Sequence, residues 1–412
     1  MSGEVPSRLT ISRIGSQGDG IAETSSGLLH VPHALPGESY HIVGDGSPVL
    51  DGPRSPDRRS RPLCPHFPSC GGCGVQHMSG ELYQRWKSEL LSAALAQHGL
   101  ASGQAAMLTV GEATRRRATF TGRFQHGKMR LGFHAARSHV IEPIQACVVL
   151  VPAIVRALPA LTDLAARLCS AAGEVRLGVL AADNGLDVSV STEPRRKPRR
   201  ADPGLAAAAN AAGVVRLAID GAPAFQVAQP LVTMDGVPVT PPPGAFLQAA
   251  RATEAIFADL VAHALGKAKC VADLFAGLGT ITLPMARRAR VVAIDSDRQL
   301  LDALAKAVRH ASGLKPVETL VRDLFRDPLS PRELDRFDAV VVDPPRAGAK
   351  AQSEALAGSK VATVVMVSCN PATLARDLRT LVDGGYKLEA ATSVDQFLYT
   401  AHLEAVAVLR RA

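Results

Sequence analysis

The sequence predicts an α/β protein: a C-terminal doubly wound, Rossmann-like domain preceded by a small β-barrel and a central α+β region. Three observations carry this. From about residue 245 apolar runs of strand length alternate with helical patterns, which implies a parallel sheet covered on both faces. Residues 7 to about 60 hold short alternating runs instead, RLTISRI, GLLHVP and SYHIVG, separated by GSQGDG and ALPGE, and these suit a small antiparallel barrel. At 412 residues, 47% of them hydrophobic, the chain is long for one domain and has the apolar content for several cores. The expected divisions are residues 1–60, 61–243 and 244–412.

Composition narrows the setting. No apolar run approaches the ~20 residues that span a bilayer, and MSGEVPSRLTISRIG lacks the basic start and apolar core of a secretory signal. The expectation is a cytoplasmic protein with no membrane partner, and a monomer. Seven cysteines, an odd number unevenly spread, suit a reducing compartment, where clustered thiols bind metal and single ones are core or catalytic residues. The formal charge of +8 permits a polyanionic partner such as RNA without requiring one.

After the barrel, the basic linker DGPRSPDRRSRP leads into CPHFPSCGGC and then an amphipathic helix, ELYQRWKSELLSAALAQHG, with Leu82, Trp86, Leu90 and Ala94 at helical spacing. The central region from about 115 to 240 is strand-rich, with a helix near 151–171; RRKPRR at 195–200 interrupts it and reads as a solvated loop. Cys64, Cys70 and Cys73 stand at spacing C-x5-C-x2-C, with Gly71 and Gly72 between the last two, and Cys147 lies further along in IQACVVL. Tight loops that let thiolates converge suit an iron–sulfur cluster or zinc, and spacing alone does not choose. Cys169 and Cys270 sit in apolar contexts and read as packing residues.

The C-terminal region carries the chemistry. KCVADLFAGLGTITLPMA reads as strand, glycine turn and helix, with Gly277 and Gly279 allowing close backbone approach to a ligand and Thr280 opening the helix. The next strand, ARVVAID, ends in Asp295, placed to accept hydrogen bonds from a ribose. Thr282 stands where the dinucleotide fingerprint needs its third glycine, and the stretch resembles instead the class I S-adenosylmethionine-dependent methyltransferases. Asp323, in ETLVRDLF, falls where that fold meets adenine. FDAVVVDPPRAG ends an apolar run at Asp343, and Pro344-Pro345 turns the chain away, which puts the carboxylate at the sheet edge beside the cofactor.

VVMVSCNPATLARDL places Cys369 at the end of the following apolar run, at the same edge. Methylating C5 of a pyrimidine needs activation, and a thiolate that adds to C6 supplies it; a base must then remove the C5 proton. Glu404, in TAHLEAVAVL, opens the last apolar strand and is the candidate base.

The order strand-end acid, DPPR, SCNP, HLE resembles the RNA uracil-C5 methyltransferases, over nearly the whole chain. RLTISRIGSQGDGIAE with HVPHALPGE is similar to that family's N-terminal TRAM domain, an oligonucleotide-binding barrel, and GAFLQAA to its cofactor-contacting segment. The resemblance implies Cys369 as nucleophile and Glu404 as base. It implies Gln248, Phe275, Gly277, Gly279, Thr280, Asp295, Asp323 and Asp343 around S-adenosylmethionine and the uracil, with Asp343 also serving catalysis. Thr280 replaces a common Asn, Asp295 a common Glu and Pro345 a common Ala. The cluster-bearing branch implies a [4Fe–4S] centre on Cys64, Cys70, Cys73 and Cys147, and 23S ribosomal RNA as substrate ahead of transfer RNA. Arg115, Arg116, Arg117 and Arg346, with Arg54, Arg58, Arg59 and Arg61 of the linker, are expected to hold RNA phosphates. The alternative from another class is an rRNA-binding protein without catalysis, against which an intact Cys369 and Glu404 argue.

Overall fold

The computed structural model describes residues 8–43, 47–101, 106–170, 173–193 and 203–411, so that RRKPRR lies outside the described residues. The N-terminal strands form a five-stranded antiparallel sheet with Leu9–Ile14 at its centre and Gly27–Val31 and Pro48–Leu50 at its edges. Alternation within the first strand sends Leu9 and Ile11 into a core with Ala22, Val31 and Tyr40. Glu38 is fully buried under this sheet, where it accepts hydrogen bonds from Arg58, Tyr40 and the amides of Leu35 and Ser55. The linker is therefore fastened to the sheet, and Arg58, expected at a phosphate, is spent on that carboxylate.

The central sheet has seven strands, all antiparallel neighbours except Gly185–Glu193 beside Val214–Ile219, and the helices Pro152–Leu168 and Pro203–Ala211 cover it. The C-terminal sheet has eight strands. Five are parallel, in the spatial order Val317–Val321, Arg290–Asp295, Cys270–Leu274, Ala339–Val342, Thr363–Ser368. Glu404–Arg411 then runs antiparallel, followed by Tyr386–Asp395 and the short Leu108–Thr109 from the central region.

Alternate residues of the buried strands face opposite layers. Val271, Val291, Val341 and Val365 pack on Phe257 and Val261 of the helix Arg251–Leu265, while Ala272, Val340, Val364 and Met366 pack on Leu374 and Leu378 of the helix Pro371–Asp383. The helix Gly80–Gln97 follows the cysteine segment, yet Leu91, Ala94 and Leu95 join this second layer, and its Trp86 Nε1 donates to Gly15 O of the N-terminal sheet at 2.9 Å. One helix thus ties all three regions together. Strand order reverses between Cys270–Leu274 and Ala339–Val342, the place where open α/β sheets bind ligands beyond the carboxyl ends of their strands.

Candidate active site

At that reversal lies a cavity of about 430 Å³, lined by the glycine turn, by Asp295, Asp323 and Asp343, and by Gln248, Cys369 and Glu404. All but Gln248, which lies in the segment before the helix Arg251–Leu265, arrive from at or near a strand terminus. Phe275 leaves Cys270–Leu274 at φ 63, and Gly277 and Gly279 continue at 54 and 88. A Cβ on Gly279 would stand 2.4 Å from Leu304 Cδ1, so only glycine lets the helix Arg298–His310 close over the turn. The helix after the turn begins at Thr282, two residues later than expected, and Thr280 lies in the turn itself. Asp295 ends its strand and accepts from Gly277 N at 2.9 Å and Asp297 N at 2.8 Å. A carboxylate has about four acceptor sites, so capacity remains for a ribose. Asp323 caps the next turn through Phe325 N at 3.0 Å, which presents the half-exposed Phe325 ring 5.3 Å from Phe275.

Cys369 occupies the hinge between the buried strand Thr363–Ser368 and the helix that Asn370 caps by accepting from Ala372 N at 3.2 Å. Asn370 Nδ2 also donates to Arg346 O at 3.1 Å, fixing the DPPR turn against the same hinge, while the Arg346 side chain is exposed. Glu404 opens the last strand, 4% exposed. Burial, reinforced by the Glu404 and Asp343 carboxyls, pushes the Cys369 thiol up to about 11. Burial likewise pushes Glu404 to about 8, with Asp343 adding to it and a hydrogen bond from Gln396 opposing it. Asp343 reaches about 7 through burial. Asp273 beneath the turn also reaches about 7, from burial first, against a hydrogen bond from Thr282. The pocket thus concentrates acids that hold protons near neutrality and that a cationic ligand would ionise.

The family model described as tRNA (Uracil-5-)-methyltransferase matches residues 319–412, the part that holds Asp323, Asp343, Cys369 and Glu404. An uncharacterized RNA methyltransferase of Rhizobium meliloti is 42% identical, over 98% of this chain and 99% of that protein. A 23S rRNA (uracil(1939)-C(5))-methyltransferase of Edwardsiella ictaluri is 32% identical, over 98% of this chain and 95% of that protein. The chain belongs to the RNA uracil-C5 methyltransferase family. The crystal structure of Pyrococcus abyssi tRNA (uracil-54, C5)-methyltransferase in complex with S-adenosyl-L-homocysteine shares its fold, with TM-score 0.73 at 20% identity over 98% of this chain and all of that one. A methyltransferase of this family binds S-adenosylmethionine and RNA.

The four cysteines singled out in the sequence line a second cavity, of about 480 Å³, with His66, Arg115 and residues 400–402. The loop is tightly folded: Cys70 N donates to His66 O at 2.8 Å, Gly71 N to His134 O at 2.9 Å, and a Cβ on Gly71 would meet that oxygen at 2.6 Å. Gly72 N donates to Cys70 Sγ at 3.4 Å, and the amides of Val149 and Leu150 face the Cys147 thiol. Among the described residues no three His, Cys, Asp or Glu side chains stand close enough together to hold a metal ion.

The arginine triplet divides. Arg116 is 5% exposed, pairs with Glu254 and donates to Gln248 O at 3.2 Å; its expected phosphate contact gives way to holding the cofactor segment. Arg115 lies over Phe397 and lines the cysteine cavity, and Arg117 lies 4.4 Å from the centre of the Phe246 ring, which is 58% exposed at the mouth of the active-site cavity. Phe246, Phe325 and Gln396 stand at or behind the cavity without having been expected there. The aromatic residues were open to discovery as the lone rings of GAFLQ and RDLF; Gln396 was not, since its partners lie far along the chain.

Proposed function

We propose that this enzyme transfers a methyl group from S-adenosylmethionine to C5 of a uridine in RNA, 23S ribosomal RNA first, through a covalent bond between Cys369 and C6 of the uracil. The observation that carries the reading is the sharing of one cavity by Cys369, Glu404, Asp343 and the glycine turn with its ribose-accepting Asp295. S-adenosylmethionine supplies an electrophilic methyl group on its sulfonium. Asp295 accepts from the ribose hydroxyls, and Phe275 and Phe325 offer two aromatic faces to the adenine. The cationic sulfonium favours ionisation of Cys369, whose thiol proton passes to water; the thiolate adds to C6 and the electron pair passes to the C4 carbonyl, so that C5 takes the methyl group. Glu404 then removes the C5 proton, the double bond re-forms, and the C6–S bond breaks to return the thiolate. A general base near 8 suits that step, since a base works best when its pKa lies near the working pH.

The full-length 32% identical relative named for 23S rRNA supports that substrate. Transfer RNA is the second reading, favoured by the printed names of the matching family model and of the archaeal structure. Mapping 5-methyluridine in both RNAs from a deletion strain tests this: loss of one 23S uridine methylation is expected, and a change in transfer RNA alone overturns it. RNA containing 5-fluorouridine should trap the enzyme covalently, because fluorine at C5 cannot leave as a proton.

Cys64, Cys70, Cys73 and Cys147 would hold the [4Fe–4S] cluster. Their fit rests on four thiols around one cavity with amide N–H groups turned to Cys70 and Cys147. Anaerobically purified protein should be brown and contain iron and acid-labile sulfide; zinc without either overturns the assignment.

A further inference from the structure

Gln396 stands behind the active-site cavity, 3% exposed, and its amide is fully used. Its Oε1 accepts from Ala249 N at 2.9 Å and Ala250 N at 3.4 Å. Backbone amides only donate, so the oxygen must face them and the NH₂ must face the other way. That NH₂ donates to Gln248 Oε1 at 2.7 Å and to Glu404 Oε1 at 3.0 Å. The consequence passes to Gln248. With its oxygen occupied, Gln248 turns its own NH₂ into the cavity, where Nε2 lies 3.5 Å from Asp343 Oδ2. The segment that carries both amides is itself held, by Arg116 Nε on Gln248 O and Arg116 N on Ala249 O at 2.8 Å.

We propose that Gln396 is a positioning residue that sets uracil specificity: it locks Gln248 with an N–H donor facing the base and holds the Glu404 carboxylate where the C5 proton is released. Uracil presents carbonyl oxygens at C2 and C4, whereas cytosine presents an amino donor at C4. A fixed donor in the pocket meets the uracil oxygen favourably and meets the cytosine amine donor to donor, which leaves a buried N–H unpaired and disfavours that base. The same amide keeps Glu404 from rotating away, and by hydrogen bonding its charged form it eases release of the carboxyl proton.

The inference rests on the proposed uridine chemistry, and the test separates the two. Gln396→Glu keeps an acceptor for Ala249 and Ala250 but, protonated in this buried place beside Glu404, offers a single O–H where glutamine offers two N–H donors, so it cannot hold Gln248 and Glu404 at once; Gln396→Met removes donors and acceptor together. Wild type and variants are assayed for methyl transfer to RNA fragments carrying uridine or cytidine at the target position, across pH 6 to 9. Trapping on 5-fluorouridine RNA is measured in parallel. The acid limb of the rate profile should move up by about one pH unit in Gln396→Met, because Glu404 loses a bond that favours its charged form. The uridine-to-cytidine ratio should fall by about tenfold, as Gln248 becomes free to turn its oxygen inward. A purely structural role would lower the rate at every pH alike and leave the ratio intact, and that result overturns the proposal. If the methionine variant fails to fold, the uridine-to-cytidine ratio of the glutamate variant decides alone, since that variant preserves the backbone anchors while its added carboxyl shifts the pH profile by itself. Failure of the wild type to form the 5-fluorouridine adduct refutes the covalent chemistry instead and leaves no substrate base for Gln396 to select.

Discussion

At the residue scale the site is a small group of acids and a thiol whose ionisation is set by withdrawal from water. Cys369→Ala should lower methyl transfer by about a thousandfold or more, the scale expected for loss of a nucleophile, while S-adenosylmethionine still binds by calorimetry. Glu404→Gln should instead accumulate a covalent protein–RNA adduct on unmodified RNA, visible on a denaturing gel, because addition and methylation precede proton removal; near-normal turnover of either variant contradicts the mechanism. The Glu404 proton also has a stability consequence. Its carboxyl titrates near 8 in the folded protein against an ordinary 4.5, so the folded state binds the extra proton between those values. The contribution of Glu404 to stability is therefore largest at the acid end of that window and is lost as pH rises towards 8. Melting temperatures of the ligand-free wild type relative to Glu404→Gln should fall from pH 5 to 8; parallel curves rule out a buried proton on Glu404.

At the element scale the segment from Asp395 to Glu404 connects the two cavities. Gln396 and Glu404 stand at the active site, and residues 400–402 line the cysteine cavity. Tyr399 O accepts from Gly74 N at 2.8 Å and Val75 N at 3.1 Å, immediately after Cys73. The segment begins at a buried ion pair, Lys87 with Asp395, both side chains fully buried and joined by Tyr83 Oη and Phe397 O. Lys87→Met should cost about 3–5 kcal/mol, since it leaves the Asp395 charge unpaired in the interior. Lys87→Met combined with Asp395→Leu should recover much of the loss in denaturant unfolding, whereas additive losses would mean that the pair does not act as a unit. This network was invisible in the sequence. Cys369, Asp343 and Asp295 could be found because each follows an apolar run that announces a strand end. Lys87 and Asp395 are 308 positions apart and Gln248 and Gln396 are 148, and no local periodicity encodes such contacts. The fold class was legible for the same reason that Cys369 was, while the place of the Gly80–Gln97 helix in the C-terminal core depended on tertiary packing.

At the scale of the whole molecule, RNA must reach a pocket whose surroundings supply few stacking surfaces, because only 4% of residues are aromatic. Extruding a uridine costs a few kcal/mol, and phosphate contacts from a chain of net charge +8 are the main source available to offset it. The arginine triplet cannot act uniformly. The exposed Arg346 of the DPPR turn and Arg117, half-buried over the exposed Phe246 ring at the cavity mouth, are the arginines proposed to meet RNA, whereas Arg116 is enclosed with Glu254. Arg117→Ala and Arg346→Ala should each weaken binding of a substrate RNA fragment and reduce the slope of log K against log salt by about one, the value for one lost phosphate contact. Cofactor affinity should be unchanged in both. Arg116→Ala should behave differently: it strands the Glu254 carboxylate, destabilises the fold by about 3 kcal/mol or more, and loosens the segment that carries Gln248 without changing the salt slope. Titrations at several salt concentrations, with unfolding curves on the same three proteins, separate the classes. Equal salt slopes for wild type, Arg117→Ala and Arg346→Ala would show that neither side chain meets a phosphate, and a flattened slope in Arg116→Ala would show that the buried pair opens when RNA binds.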